Sequence, residues 1–261
     1  MKIARSLEEF GELRAGMRGD VGFVPTMGAL HEGHLSLMQL AKEHAENVIV
    51  SIYVNPTQFA PHEDFDSYPR DIESDLEKLE GLADIVFLPR DEDIYPSGPD
   101  KRAQSTSFLA AEGLETDFRP HFFSGVATVV SRFFEIVKPD IAVFGEKDFQ
   151  QLQVIREIVE KDGLNIEILG APIARDEHGL ALSSRNAYLS EGELEIARML
   201  NQVIYNVASD PTKTALKDAE EMLLTAGFDK VDYIAHKPEW KRVVAATWLG
   251  KTRLIDNCPT T

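Results

Sequence analysis

Apolar residues along this chain fall into short runs separated by amphipathic stretches. Five runs are apolar almost without interruption: VGFVP at 21–25, NVIVSIYV at 47–54, DIVFLP at 84–89, DIAVFG at 140–145 and NIEILG at 165–170. Runs of this kind read as buried strands, covered on both faces. Between them the period lengthens. From Ser124 to Val137, the residues Val126, Val129, Val130, Phe133 and Val137 recur at helical spacing, which predicts a helix with one apolar side. Strands alternating with helices predict an α/β fold built on a doubly wound, mostly parallel sheet.

The last third has a different pattern. EHGLALSSRNAYLS, rich in Gly, Ser and Asn, precedes two helical patterns at about 191–208 and 213–226, and VDYIAH, RVVAATWLG and TRLIDN then read as short strands. A boundary near residue 173 therefore separates a larger domain, 1–173, from a smaller α+β domain, 174–261. The stretch DEDIYPSGPDK, Asp91 to Lys101, reads as a surface loop.

Composition narrows the function. At 261 residues the chain fits one large or two modest domains, and 43% hydrophobic content supplies a core. The net charge of −17, from 44 acidic and 27 basic residues, repels polyanions and argues against nucleic-acid and anionic-membrane partners. A small anionic ligand is still accommodated wherever a few cations or a helix N-terminus reverse the potential locally. Cys258 is the only cysteine, so an intrachain disulfide is excluded and a reducing compartment is expected. The opening MKIARSLEEFGELRAG has no apolar signal core and no run is long enough to span a bilayer, so the chain reads as cytoplasmic.

In an open α/β sheet, ligands bind outside the carboxyl ends of the strands, so the residues after each apolar run carry the candidate chemistry. After the first comes TMGALHEGH, with His31 and His34 three residues apart and Gly28 and Gly33 leaving room for close backbone approach. A helix starting near Gly33 puts His34 in its first turn, where free N–H groups favour phosphate. Taken alone, the pair reads equally well as surface or capping residues. No third metal ligand has diagnostic spacing, so a metal set is not assigned.

After the second run, NPTQF supplies Asn55 and Gln58, amides that both donate and accept, as recognition of a hydroxylated small molecule requires; a plain Asn-Pro turn fits as well. GEKDFQQ comes after the run at 140. Its Lys147 could place a point charge on phosphate, with Asp148 capping the next helix and Gln151 one turn on. A solvated lysine between acids is the alternative. In LSSRN, Ser183, Ser184 and Arg185 could hold a phosphate chain or form an ordinary turn-rich linker.

Six segments, PTMGALHEGHLSL, VSIYVNPTQF, YPRD, GVATVVSRFF, FGEKDFQQL and LALSSRNAYLS, occur in the order and approximate spacing of the pantothenate synthetase (pantoate–β-alanine ligase) family. The resemblance runs from near residue 20 to TRLIDN at 252–257 and is densest through residue 190. It implies a Rossmann-like N-terminal domain of the H-x-G-H nucleotidylyltransferase type, a smaller C-terminal lid domain, a homodimer, and Mg²⁺-dependent use of ATP with pantoate and β-alanine. By the same resemblance ATP is bound by Met27, Gly28, Ala29, Leu30, His31, Glu32, Gly33 and His34. Gly145, Glu146, Lys147, Asp148, Ala174, Leu182, Ser183, Ser184 and Arg185 join them. His34 matches the family's proton donor, and His31 and Lys147 are expected to stabilise phosphate charge beside it. Gln58 and Gln151 match the pantoate-binding glutamines, Gln58 also being linked with β-alanine.

Three features depart from the family pattern. Thr57 stands where Met is common. RPHFFSG, from Arg119 to Gly125, puts His121 one position early and Phe122 in the place of the family's His, so no role is carried to His121. The C-terminal domain is short. The competing readings are another H-x-G-H adenylyltransferase, a related aminoacyl-tRNA synthetase, which the negative charge opposes, and a nucleotide-binding sensor without turnover.

Overall fold

The computed structural model describes residues 1–59, 63, 65–98 and 108–260, and Pro99 to Lys101, the end of the expected surface loop, lie outside them. The described chain divides into two compact units, Met1–Glu146 with Gln150–Ala171, and Lys147–Phe149 with Pro172–Thr261.

The first unit alternates strand and helix. In chain order it has β1 (Lys2–Ala4), α1 (Leu7–Ala15), β2 (Val21–Thr26), α2 (Glu32–His44), β3 (Asn47–Ile52), α3 (Ile72–Lys78) and β4 (Ile85–Phe87). Then come α4 (Asp91–Ile94), α5 (Glu115–Phe118), α6 (Phe122–Val137), β5 (Ile141–Gly145), α7 (Phe149–Lys161) and β6 (Glu167–Ala171). Among the described residues the six strands form one parallel sheet in the order β1-β4-β3-β2-β5-β6.

Period-two side-chain alternation explains why the runs look continuously apolar. Val24, Val48, Val50, Val86 and Val143 point to one face, where Met38 and Ala41 of α2 and Leu79 just after α3 cover them. Phe23 and Phe87 point to the other, where Phe133 of α6 meets both rings and Phe10 of α1 stacks 4.6 Å from Phe87. α7 packs on α6 through Val154 and Ile158 against Phe123 and Ala127. The sheet is thus doubly wound.

Three expectations change. β1, with only three residues, is too short to show a period and leaves no signal in the sequence. The run at 165–170 is not a buried strand: β6 is the last strand of the sheet, half-exposed up to its final residue. The stretch from Asp91 is not a surface loop in its first half, because it opens with α4 and buries Asp93, Ile94 and Tyr95.

In the second unit α8 (Glu191–Ala208) and α9 (Lys213–Ala226) pack on an antiparallel sheet of β7 (Lys230–Lys237), β8 (Arg242–Leu249) and β9 (Thr252–Pro259). Their core includes Leu200, Ile204, Leu223, Val243, Leu254 and Cys258. Burial, reinforced by Asp256, pushes the Cys258 thiol up, which keeps it out of nucleophilic chemistry at neutral pH.

Asp232 has a side chain only 1% exposed; its Oδ2 accepts from Trp248 Nε1 (2.9 Å) and Arg253 Nε (2.8 Å), and its Oδ1 is ion-paired with Lys230 Nζ at 2.8 Å. Burial alone would raise its pKa, but these donors together hold the carboxyl below its ordinary range. A carboxylate with a depressed folded pKa stabilises the fold above the unfolded value, near 4, and loses that contribution as pH falls through the folded one. Asp232→Asn is therefore expected to cost about 2 kcal/mol at pH 7, a difference that shrinks below about pH 4. Urea melts of both proteins between pH 7 and 3 check this, and a pH-independent difference contradicts it.

Candidate active site

All strands of the first sheet are parallel, so their carboxyl ends share one edge. From β2 the chain proceeds outward through β3 and β4, then returns to β5 on the other side of β2 and continues to β6. That reversal between β2 and β5 is the place where α/β sheets open a ligand crevice. The loop after β2 carries residues 27–34, the turn after β3 carries Asn55 and Gln58, Gly145 ends β5 and Glu146 comes next. Gln151 lies in the first turn of α7, half-buried. These candidates belong to the first unit. Lys147, Asp148, Ala174 and Leu182 to Arg185 belong to the second.

The loop after β2 is built around a buried carboxylate. Thr26 donates its hydroxyl to the Ser51 carbonyl (2.8 Å) and accepts the Gly28 N–H (3.3 Å). Gly28 and Ala29 then take φ of +81° and +52°, a left-handed turn that costs an alanine about 1–2 kcal/mol. Asp75 of α3, 1% exposed, offsets this by accepting the N–H groups of Ala29 (2.9 Å) and Leu30 (2.7 Å). Lys78, one turn along α3, donates to the Leu30 carbonyl (2.9 Å). A Cβ on Gly28 would lie 2.9 Å from Asp75 Oδ2 and 3.1 Å from Ile52, so glycine is required for the carboxylate to close under the loop.

This changes the expectation that free amides of the first helical turn receive phosphate. Asp75 takes two amides of the loop before the helix, and amides of the turn itself are taken as well. The Gly33 N–H donates to His31 Nδ1 (3.1 Å), the His31 N–H to His34 Nδ1 (3.3 Å), and the His34 N–H to the His31 carbonyl (2.7 Å). His31 is the N-cap of α2 and His34 its third residue, a reciprocal capping box built from two imidazoles. The capping alternative is thus realised, and it has a chemical consequence. With Nδ1 of each ring accepting, the neutral tautomer carries its proton on Nε2. The two rings lie 4.1 Å apart, tilted 39°, as a pair of Nε2–H donors at the mouth of a helix N-terminus.

The turn after β3 is equally determined. Asn55 is 1% exposed and caps the tight turn Pro56–Gln58. It donates Nδ2–H to Gln58 Oε1 (3.0 Å), and Arg119 donates to the Gln58 carbonyl (2.9 Å) while paired with Glu63 at 2.7 and 2.8 Å. The Arg119 guanidinium lies 4.0 Å from the centre of the Phe122 ring, which gives the unusual Phe122 a cation–π role. Of the paired glutamines of α7, Gln150 is structural: it accepts the Glu115 N–H and donates to the carbonyls of Ala110 and Gly113.

In the second unit, Asn257 donates to the Lys147 carbonyl (3.0 Å), and Lys147 and Ser183 line one gap of about 10 Å³, room for a single water. Ser183 caps the turn Ser184–Tyr188 by accepting the Arg185 N–H (3.3 Å). The Leu182 N–H donates to the Ala174 carbonyl (2.9 Å), closing a hairpin that Arg175 anchors through a bidentate pair with Asp256 at 2.7 and 2.8 Å. Among the described residues no three His, Cys, Asp or Glu side chains gather as a metal-ligand set, and no helix is long and apolar enough to cross a membrane.

The fold and this edge define an α/β protein of the class that binds its ligand at the switch point of a parallel sheet. A family model described as Pantoate-beta-alanine ligase matches residues 2–259. The pantothenate synthetase of Mesorhizobium japonicum is 51% identical over 260 residues, spanning 94% of this chain and 90% of the relative. That of Caulobacter vibrioides is 47% identical, spanning 93% and 91%. A crystal structure of pantothenate synthetase from Thermus thermophilus matches with a TM-score of 0.89 at 40% identity, covering 99% of both chains. A pantoate-beta-alanine ligase from Francisella tularensis, complexed with beta-gamma ATP and beta-alanine, matches with a TM-score of 0.90 at 38% identity over 99% of this chain and 97% of its own. The chain belongs to the pantoate–β-alanine ligase family.

Proposed function

We propose that this protein condenses pantoate with β-alanine, using ATP and passing through pantoyl adenylate. The observation that carries the reading is the family match across residues 2–259; the placement of the paired imidazoles and the Gln58 amide after adjacent strands β2 and β3 supports it. The first unit is the nucleotide- and pantoate-binding domain, the second the lid, and the active species a homodimer in the cytoplasm.

In the first step a pantoate carboxylate oxygen attacks the α-phosphorus of ATP, and the bond to the bridging oxygen breaks to release pyrophosphate. The Nε2–H groups of His31 and His34 meet the charge that builds on the departing phosphates, and Lys147 offsets charge at the reacting phosphorus. Ser183, Ser184 and Arg185 hold the phosphate chain. In the second step the amine of β-alanine attacks the acyl carbon, loses a proton, and AMP leaves with the former carboxylate oxygen. Neither step needs an enzyme nucleophile. Positioning carries much of the acceleration. Mg²⁺ would enter with the nucleotide and would supply charge neutralisation at its phosphates.

Stepwise addition tests the reading. Pyrophosphate is expected from protein and Mg-ATP only when pantoate is present, and AMP with an amide product only after β-alanine is added. Pyrophosphate release without pantoate contradicts it. For Gln58→Ala we expect KM for pantoate to rise about tenfold or more, as for loss of a hydrogen bond to a charged group, with KM for ATP little changed. Equal losses for both substrates would remove Gln58 from the pantoate site.

A further inference from the structure

Behind Gln58 lies a buried polar cluster that no step above uses. Asn55, Thr57 and Tyr95 are 1%, 3% and 6% exposed. Asn55 Oδ1 accepts from Tyr95 Oη (2.6 Å), Thr57 Oγ1 (3.0 Å) and the Thr57 N–H (3.3 Å), and the two hydroxyls are 2.9 Å apart. Asn55 Nδ2 faces two acceptors, Gln58 Oε1 at 3.0 Å and the Gly125 carbonyl at 3.3 Å.

These contacts leave one arrangement of both amides. If Tyr95 donates to Thr57, Thr57 donates to Asn55 Oδ1; if Thr57 donates to Tyr95, Tyr95 does. Either way the Asn55 oxygen receives a hydroxyl proton as well as the Thr57 N–H. Turned over, Asn55 would set its NH₂ against the Thr57 N–H and its oxygen against the Gly125 carbonyl. Asn55 is therefore locked with its NH₂ toward Gln58, and Gln58 must present Oε1 to it. What Gln58 has left for a ligand is Nε2, with its two protons. Buried networks of this kind specify one geometry when every member is satisfied. Gly125 seals the cluster, since a Cβ there would lie 2.5 Å from the Thr57 carbonyl.

We propose that Thr57 and Tyr95 are positioning residues that act through Asn55 to hold Gln58 as a hydrogen-bond donor toward the carboxylate and hydroxyl oxygens of the acid substrate. The proposal rests on Gln58 being a pantoate contact. Each hydroxyl can substitute for the other in holding Asn55, so the two are redundant. Tyr95→Phe and Thr57→Val separately are expected to change KM for pantoate less than about threefold. Together they leave Oδ1 only the Thr57 N–H, and KM for pantoate is expected to rise about tenfold, the loss of one well-placed hydrogen bond, with KM for ATP unchanged. Tyr95→Phe with Thr57→Ser keeps a hydroxyl and is expected to behave like Tyr95→Phe alone.

The measurement is steady-state kinetics with pantoate and ATP varied separately, with melting temperatures for each variant. An unchanged pantoate KM in the Phe/Val double variant overturns the proposal, as does an equal rise in both KM values, the mark of a merely structural role. If the double variant does not fold, Asn55→Asp decides: it keeps the acceptor for both hydroxyls but has no NH₂ for Gln58. A raised pantoate KM supports the proposal and an unchanged one overturns it. Gln58→Ala separates the two levels, because no effect of that change on pantoate removes the site reading itself.

Discussion

His34→Ala is expected to lower kcat by about a hundredfold or more, the loss found when one preorganised donor is removed from a developing negative charge. Two things disappear with the imidazole. One is the Nε2–H. The other is the acceptor for the His31 N–H, which closes the capping box of α2 and contributes about 1 kcal/mol as caps generally do. His34→Glu separates them, since glutamate at the third helical position restores a capping box but, being acceptor-only, brings no N–H donor. The Glu variant should therefore melt near the parent and still turn over slowly. Rapid-quench or steady-state assays of both variants check this, and near-normal kcat in both would take His34 out of the mechanism.

Asp75→Ala should be the most damaging change outside the residues proposed to touch substrate. It strands the N–H groups of Ala29 and Leu30 in a buried place, and each unsatisfied amide costs about 1–3 kcal/mol. It also removes the partner that holds Ala29 at positive φ. We expect a stability loss of about 2–4 kcal/mol in urea melts and a fall in kcat larger than the remaining folded fraction explains, because the loop that delivers His31 and His34 can relax. Asp75→Asn should be intermediate, offering one oxygen where two are needed. A variant with parental stability and full turnover would mean that the loop holds its shape without the carboxylate.

Much of the sheet was legible because strands covered on both faces announce themselves as unbroken apolar runs, as at Val21–Pro25 and Ile141–Gly145. β1 and β6 were not legible in the same way, the first being three residues long and the second half-exposed at the edge. The candidate site was read from the polar residues just past each strand, and that rule placed residues 27–34, Asn55 and Gln58 at carboxyl ends of neighbouring strands. The residues that hold them were missed. Asp75 lies 46 positions from Ala29, Tyr95 40 from Asn55, and Arg119 61 from Gln58. None leaves a local pattern: Asp75 sits among the acids of a helix start, and Tyr95 lies in a stretch rich in Pro, Gly and Asp that looks exposed. Long-range hydrogen bonds to backbone have no periodicity, so only the three-dimensional arrangement reveals them.

The chemistry has one direct readout. Pantoate carrying ¹⁸O in both carboxylate oxygens, turned over with ATP and β-alanine, should yield AMP with one ¹⁸O on its phosphate and an amide product retaining the other. Unlabelled AMP, with product still formed, would show that the carboxylate never attacks the α-phosphorus, and the adenylate pathway would have to be abandoned.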